Sequence, residues 1–563
     1  MKKEPKTILS KQHLWLAISL LAITFFIGLA YFTGQIPDFF LGEEYDKIRF
    51  PALNNHLDSW TGYFQEKGRP VEGIYWTYMY EVFGYDPKVF HLFSLLIHFT
   101  ATLLVALAII RVLRKDNDLD RKFGFLLILL FFNAYSLNLV FKLSLDAPII
   151  ALVTLFGSVV ALQSYAKSQL KTPAWLFISI ALFMATIFNY EVAAFLFPVG
   201  LLLSWPLINP ETKKRNKWLS LLFISGGIAS CLLVLLPYQI YIHLQETTGQ
   251  NIANPALSVM SKSAIKIILQ APSHVFGYLI GIGSGLYPTS SWQLNSLRLL
   301  IALPIGGALF LLINRLLKRQ QFSLKEVLRV FDNPKAAVCI SAAWIFVFAS
   351  LPYALIGYGS DAIRTYSASI FGILLLCAFT FYLIENRIIK TIGMLIMVGS
   401  IIIGLDQYLL MAEKVGQQRE FYYQYFLDFT EIIPGVKERT NLIFVNHTVG
   451  SLSGCPGMFM MLYQTKEINC GFLSNHDNEY LAERYEGSIN AHYGGWSRYE
   501  NDILIGLDIE GKPVIIQSIN SESDLLIIWH DKTPITTDYR KITEEKKYLT
   551  SDMYQYLTTH WEN

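Results

Sequence analysis

The sequence predicts an all-α polytopic membrane protein of about 11 transmembrane helices, with a small C-terminal α/β or α+β extracytoplasmic domain. Three observations predict this fold class. Of the 563 residues, 53% are hydrophobic and only 16% are charged, whereas about 25% are charged in an average soluble protein. The apolar residues fall in blocks of roughly 20, the length of a helix that crosses a bilayer. A polar composition begins only near residue 413.

The first apolar block follows a lysine-rich tail and is long enough to span, so we interpret it as an uncleaved first helix and not as a signal peptide. Ten further blocks follow it. The predicted spans are residues 14–33, 89–111, 123–143, 147–166, 174–189, 192–208, 218–241, 297–316, 336–356, 365–385 and 389–411.

Lysine and arginine residues predict the orientation of these spans. They concentrate in the N-terminal tail and in the loops after the second, sixth, eighth and tenth spans, all on one side, which identifies the cytoplasm. The N-terminus is then cytoplasmic and the C-terminal domain lies outside a plasma or inner membrane. Residues 1–412 form the membrane domain, with long outward loops at 34–88 and 245–294, and residues 413–563 form the outer domain. The net charge of +2 does not suggest a nucleic-acid partner.

The outer domain contains short β-like runs separated by glycine, asparagine and aspartate, as strands are. These runs are NLIFVN, DILIGLDI, PVIIQSI and DLLIIWH. The domain also holds Cys455 and Cys470, and an extracytoplasmic location permits a disulfide between them. Two cysteines alone do not specify that pairing, so the sequence leaves it open.

Acidic residues mark the outward side of the predicted bundle. The segment FLGEEYDKI places Glu43, Glu44 and Asp46 just after the first span, where a carboxylate pair serves as a general base, binds a cation or is simply solvated. Asp146 begins a span and fits a helix cap as well as a site. Glu191 lies between two spans with almost no loop, and acids at membrane depth often mark a site.

Three cations lie on the same outward side: Arg69, Lys142 and Arg364. The positive-inside rule disfavours them there, so each needs an acidic residue, a lipid headgroup or a phosphate as a partner. No P-loop, GxGxxG turn, HExxH motif or Cys/His metal set occurs in the sequence. A nucleotide-driven enzyme and a zinc enzyme are therefore not favoured.

With these residues placed, residues 14–410 resemble the GT-C superfamily of membrane glycosyltransferases, which use lipid-phosphate-linked sugars. FLGEEYDKI is similar to the acidic pair of the family's first external loop, although the family more often has aspartates. GRPVEGIYWTYMYEVFGYDPKVFHLFSLLIHFTATLLV resembles its Gly-Arg-Pro segment and second span. Asp146 with Pro148, then Glu191, resemble its later acidic positions, and DAIRTYSASIFGILLL resembles its Arg-Tyr stretch.

The resemblance implies an enzyme that moves a sugar from a polyprenyl-phosphate-type donor to an extracytoplasmic acceptor hydroxyl by inverting displacement. Glu43 or Glu44 would be the base, and Asp46, Asp146 and Glu191 would position the acceptor, the sugar or a divalent cation. Arg364, Lys142 and Arg69 would bind the donor phosphate. The acceptor would be a glycan, a lipid or a protein, and no organic cofactor is implied. The alternative is a transporter or flippase of a lipid-linked or polar solute, although the sequence lacks related halves.

Overall fold

The computed structural model is mostly helical. The described residues are 14–40, 44–67, 69–113, 119–132, 143, 146–190, 196–209, 211–212, 332–349, 369, 371–372, 374–376, 378, 387–436, 439–445, 455–473, 501–507, 513–515, 552–553 and 555.

Twelve α-helices and four strands have defined bounds within the described residues. The helices are α1 (Leu14–Phe32), α2 (Tyr45–Leu53), α3 (His56–Lys67), α4 (Pro70–Phe83), α5 (Pro87–Leu113), α6 (Leu119–Phe131), α7 (Asp146–Lys167), α8 (Pro173–Asn189), α9 (Phe197–Ser204), α10 (Pro334–Phe348), α11 (Arg387–Ile432) and α12 (Cys455–Tyr463). A 3₁₀ turn, Trp205–Leu207, follows α9. The strands are β1 (Thr440–Val445), β2 (Ile468–Leu473), β3 (Asn501–Leu507) and β4 (Pro513–Ile515).

Two described helices are long and apolar enough to cross a membrane, Pro87–Leu113 and Ala147–Lys167. Shorter apolar helices occupy Ala17–Phe32, Pro173–Asn189, Pro198–Leu207 and Pro334–Phe346. The predicted spans 218–241 and 297–316 lie outside the described residues, as does most of 365–385 and the whole outward loop 245–294. The predicted number of 11 spans therefore stays a prediction.

The described residues separate into two compact units. The first unit takes those within 1–36, 92–237 and 254–412, and the second takes those within 37–91 and 413–563. Most of the predicted outward loop 34–88 falls in the second unit, together with Glu44 and Asp46. The predicted boundary of the membrane domain at residue 412 stays a prediction.

The first unit is built from apolar helices joined by small polar side chains. Helices α7 and α8 pack along their lengths, with the Ser158 hydroxyl donating to the Ser179 carbonyl oxygen at 2.7 Å. Gly157 lies close to Leu182 across the same interface. The Gln163 amide donates to the Ala108 carbonyl oxygen at 2.7 Å. Such close approach of small residues is typical of helices packed within a membrane.

The second unit contains a four-stranded sheet with the order β2-β1-β3-β4. Strand β1 pairs in parallel with β2 and with β3, and β4 runs antiparallel to β3. Helix α12 connects β1 to β2, as a crossover between parallel strands requires. The predicted runs NLIFVN, DILIGLDI and PVIIQSI overlap β1, β3 and β4, whereas DLLIIWH lies outside the described residues.

Helix α11 is longer than the span predicted within it. The apolar pattern ended at residue 411, but the helix continues to Ile432. Its continuation contains three glutamines and three glutamates, which are good helix formers. A change of composition therefore does not mark a change of backbone conformation here.

Candidate active site

The predicted site residues are distributed over both units and partly beyond the described residues. Glu44, Asp46 and Arg69 are described, and all three lie in the second unit. Asp146 begins α7 in the first unit, but its side chain is not among those that the structure describes. The other four predicted residues lie outside the described residues; they are Glu43, Lys142, Glu191 and Arg364.

Glu44 is the N-cap residue directly before the short helix α2 and is almost fully buried, with 1% of its surface exposed. Its backbone is already helical, with φ −69° and ψ −33°. The neighbouring Tyr45 is also buried, and its hydroxyl lies 3.3 Å from that of Tyr85. Burial raises the pKa of Tyr45, and the nearby Glu44 carboxylate raises it further. The phenol therefore stays neutral beside a buried acid.

Two further charges lie on the same short helix. The Asp46 carboxylate and the Arg49 Nε are 4.0 Å apart, and both side chains are largely buried. The Arg49 guanidinium lies 4.4 Å from the centre of the Phe50 ring, which is within the range of a cation–π contact. Helix α2 therefore places both signs of charge in little solvent, which is unusual for nine residues of a predicted loop.

A buried ion cluster joins α2 to α4. Lys47 on α2 donates to Glu72 on α4, and the side chains are 11% and 1% exposed. Arg69, which precedes α4, lies 3.8 Å from the second oxygen of the same carboxylate. The Lys47 ammonium also lies 5.7 Å from the centre of the Trp76 ring. One carboxylate therefore faces two cations.

Both cations act on the buried Glu72 carboxylate. Burial by itself raises the pKa of Glu72, but Lys47, Arg69 and a hydrogen bond from Tyr63 outweigh it and lower that pKa below its ordinary value. Glu72 is therefore ionised at neutral pH. The Arg69 side chain is 27% exposed, so part of its guanidinium is accessible to an anionic ligand.

Helices α3 and α4 form an antiparallel pair that supports the cluster. The Trp60 indole donates to the Pro70 carbonyl oxygen at 3.1 Å, and the hydroxyls of Ser59 and Thr77 lie 2.8 Å apart. Gly73 packs against the Tyr63 ring, where a Cβ would lie 3.1 Å from a ring carbon. Large apolar side chains are exposed on the outer face of this pair: Leu57, Phe64, Ile74, Tyr78 and Val82. Such a face is typical of a helix pair at a membrane surface.

The C-terminal region adds a disulfide and two hydrogen bonds to the second unit. Cys455 and Cys470 form a disulfide, with their Cα atoms 6.0 Å apart. The Arg419 guanidinium donates to the Asp38 carboxylate at 2.8 Å. Tyr423 on the same helix donates to the Asp38 carbonyl oxygen at 2.8 Å. The chain segment before α2 is therefore held by α11.

Two buried histidines, His91 and His98, each lie beside a backbone carbonyl oxygen. The His91 ring nitrogen is 3.2 Å from the Phe39 carbonyl oxygen, and that of His98 is 3.2 Å from the Phe131 carbonyl oxygen. Within the described ranges, no group of three or more His, Cys, Asp or Glu side chains could hold a metal ion. The described residues thus supply acids and cations for a site but no metal-binding set.

Sequence reasoning missed Lys47, Arg49 and Glu72. In the sequence each is an ordinary charged residue of a polar loop. Lys47 and Glu72 are 25 positions apart, so no local pattern pairs them. One signal was present: Lys47 follows Glu44 by three positions, so a helix would place both on one face.

No family model matches the chain, and no curated protein or solved structure is significantly similar to it. The resemblance given by the sequence motifs is thus neither supported nor opposed by these comparisons. The function has to be argued from the site itself.

Proposed function

We propose that the protein is an integral membrane glycosyltransferase of the GT-C type. It transfers a sugar from a polyprenyl-phosphate-type donor to an acceptor hydroxyl on the extracytoplasmic side. The observation that carries this proposal is the burial of Glu44 at the start of a helix that also carries Lys47, within one compact unit with Arg69. That arrangement supplies a desolvated acid together with cations for an anionic leaving group.

The described helices support a location in the membrane. Besides the two long apolar helices, several shorter ones expose large apolar side chains that water would not favour. On α1 these side chains recur every three or four residues along one face: Ile18, Leu21, Phe25, Leu29 and Phe32. On α8 they include Trp175, Phe177, Ile180, Met184 and Phe188. Lipid tails are the environment that suits such surfaces.

The proposed reaction is a single displacement. A carboxylate of the Glu43–Glu44 pair takes the proton of the acceptor hydroxyl as its oxygen attacks the anomeric carbon. The bond from that carbon to the donor phosphate breaks on the opposite face, so the configuration inverts. The lipid phosphate leaves as an anion, and a positively charged guanidinium stabilises it more than a general acid would.

Arg69 suits the phosphate among the described cations because its planar guanidinium donates two parallel hydrogen bonds. The Arg69 guanidinium lies beside the Glu72 carboxylate, which also pairs with Lys47. Among the described carboxylates, Asp46 positions the acceptor or the sugar in this proposal. In this proposal Lys142 and Arg364 contribute to phosphate binding and Asp146 and Glu191 to positioning, on the strength of the sequence motifs alone.

The proposal is tested by replacing Glu43 and Glu44 separately by glutamine in the full chain. Transfer of labelled sugar from a polyprenyl-phosphate donor is then measured in proteoliposomes. General base catalysis typically contributes 10²–10⁴-fold, so one of the two variants should lose about 100-fold or more in kcat.

Glu81→Gln is the matched control, because Glu81 is an exposed acid on α4 in the same unit, 3.0 Å from His56. It should keep wild-type transfer. If both Glu43→Gln and Glu44→Gln transfer sugar at the wild-type rate, neither residue is the base. If lipid translocation occurs without transfer by the wild-type protein, the transporter alternative is favoured.

A further inference from the structure

Helix α12 is buried along its whole length. All nine of its residues, CPGMFMMLY, are buried, and none carries a charge. The centre of its Phe459 ring lies 4.7 Å from the ring centre of Phe429 on α11 and 5.6 Å from the ring centre of Phe444 on β1. A helix that is apolar on every side belongs inside a core. Helix α12 is therefore a central element of the second unit.

Gly457 brings α12 against the backbone of α2. A Cβ at this position would lie 2.8 Å from the Tyr45 carbonyl oxygen, 2.9 Å from its carbon and 3.1 Å from the Arg49 Cδ. Distances under 3.0 Å to backbone atoms cannot be relieved by a side-chain rotation, so the two helices would have to separate. Only glycine permits this approach, and Tyr45 directly follows Glu44.

Both ends of α12 are fixed within the second unit. Cys455 at its start is joined to Cys470 in β2, and the Tyr463 hydroxyl at its end donates to the Ile433 carbonyl oxygen at 2.6 Å. These two ties constrain α12 at both ends, and its close contact with Tyr45 therefore constrains the start of α2, next to Glu44.

We propose that Gly457 is a positioning residue for the acidic pair. Its contact with Tyr45 makes the C-terminal region part of the site: the disulfide and Tyr463 hold α12, and α12 holds the start of α2. The part of this inference that assigns Glu44 a catalytic task rests on the proposed function. The mechanical coupling of α12 to α2 does not.

The test compares Gly457→Ala with Gly416→Ala in the full-length protein in proteoliposomes. Gly416 lies on α11, and a Cβ there would meet no atom within 4 Å, so the same change is made where there is room. Misplacement by about 1 Å costs roughly 100-fold in rate. We therefore expect Gly457→Ala to lose about that much in kcat. KM for the donor should change little, and Gly416→Ala should match the wild type.

Hydrogen exchange measured on the same proteins separates the coupling from the enzymatic activity. Amides of residues 44–53 should exchange faster in Gly457→Ala, while those of residues 173–189 should not change. The proposal is overturned if Gly457→Ala has the kcat and the hydrogen exchange of the wild type. It is also overturned if kcat falls and KM for the donor rises by the same factor. If no protein transfers sugar, the proposed function fails, and the exchange of residues 44–53 still decides whether α12 positions α2.

A second measurement applies if Gly457→Ala does not fold. The wild-type disulfide is reduced with dithiothreitol, reduction is verified by mass, and exchange is measured again. Faster exchange in residues 44–53 supports the coupling of α12 to α2. Unchanged exchange there, with the disulfide open, contradicts it.

Discussion

Helices α7 and α8 contact each other in the first unit, and helices α2 and α4 contact each other in the second unit. The contacts within the two pairs are of different kinds. Between α7 and α8 the polar contacts that the structure describes are neutral. The Ser179 hydroxyl donates to the Ser158 carbonyl oxygen at 3.0 Å, and the Thr186 hydroxyl donates to that of Thr154 at 2.9 Å. Between α2 and α4 a buried carboxylate meets Lys47.

The difference supports the placement of the proposed chemistry in the second unit. Neutral hydroxyl contacts suit helices within a membrane, where a charge is expensive. A buried ion pair is often no more stabilising than apolar side chains of the same volume. Stability alone therefore does not account for the charges between α2 and α4. We interpret them as part of the site that Glu44 belongs to.

Removal of the Glu72 carboxylate, which Lys47 and Arg69 share, should lower the stability of the second unit most. Glu72→Ala leaves Lys47 and Arg69 facing each other in a buried place, and breaking a buried pair typically costs about 3–5 kcal/mol. We expect a loss of that order in the free energy of unfolding, measured by denaturation in detergent. Glu81→Ala removes an exposed partner of His56 and should cost less than about 1 kcal/mol. Equal losses would mean that the cluster is not buried.

Opening the disulfide should have the next largest effect. Cys455 and Cys470 are 15 positions apart, and closing a loop of that length stabilises a protein by about 3 kcal/mol. The variant with both cysteines replaced by serine should lose about that amount. Single replacement of Cys339, which is a free cysteine in the first unit, is the control. A double variant as stable as the wild type would show that α12 does not need this tie.

The pH dependence of stability should reflect the titration of Glu72. Because the net pKa of Glu72 is lowered in the folded protein, its stabilising effect is present above the unfolded pKa. It is lost as the pH falls through the folded value. The wild type should therefore lose more stability than Glu72→Gln when the pH is lowered from 7 to below about 4. Parallel acid losses in the two proteins would show that Glu72 does not titrate in this way.

The smallest effect is expected in the first unit. Ser158→Ala removes the hydroxyl that donates to the Ser179 carbonyl oxygen. Hydrogen bonds between membrane helices contribute about 0.6 kcal/mol on average. The loss should thus be several times smaller than that of Glu72→Ala in the same denaturation assay. A loss as large as that of Glu72→Ala would remove the contrast between the units.

Some of these features could be predicted from the sequence, for physical reasons. Long apolar blocks and β-like runs reflect local composition, so α5, α7, β1 and β3 overlap their predicted segments. Strand β2 and helix α12 were not predicted. Asparagine and glycine interrupt the apolar pattern of β2, INCGFL, and the glycine of α12 is explained only by a neighbouring helix, so tertiary contacts decide both.

The candidate site was less predictable for the same reason. Glu44, Asp46 and Arg69 stood out by their position in the chain. The pairing of Lys47 with Glu72 depends on α2 packing against α4, and charges read from sequence alone look solvated. The grouping of residues 37–91 with 413–563 was also hidden, because it joins segments more than 300 positions apart.

The central claim is that one residue of the Glu43–Glu44 pair is the base and that Asp146 only positions substrate. The most direct measurement is sugar transfer from a polyprenyl-phosphate donor by Glu43→Gln, Glu44→Gln and Asp146→Asn, at equal amounts of folded protein. The account predicts that one glutamate variant loses about 100-fold or more in kcat, while Asp146→Asn keeps most of its kcat and changes KM. A larger loss of kcat in Asp146→Asn than in both glutamate variants would contradict it.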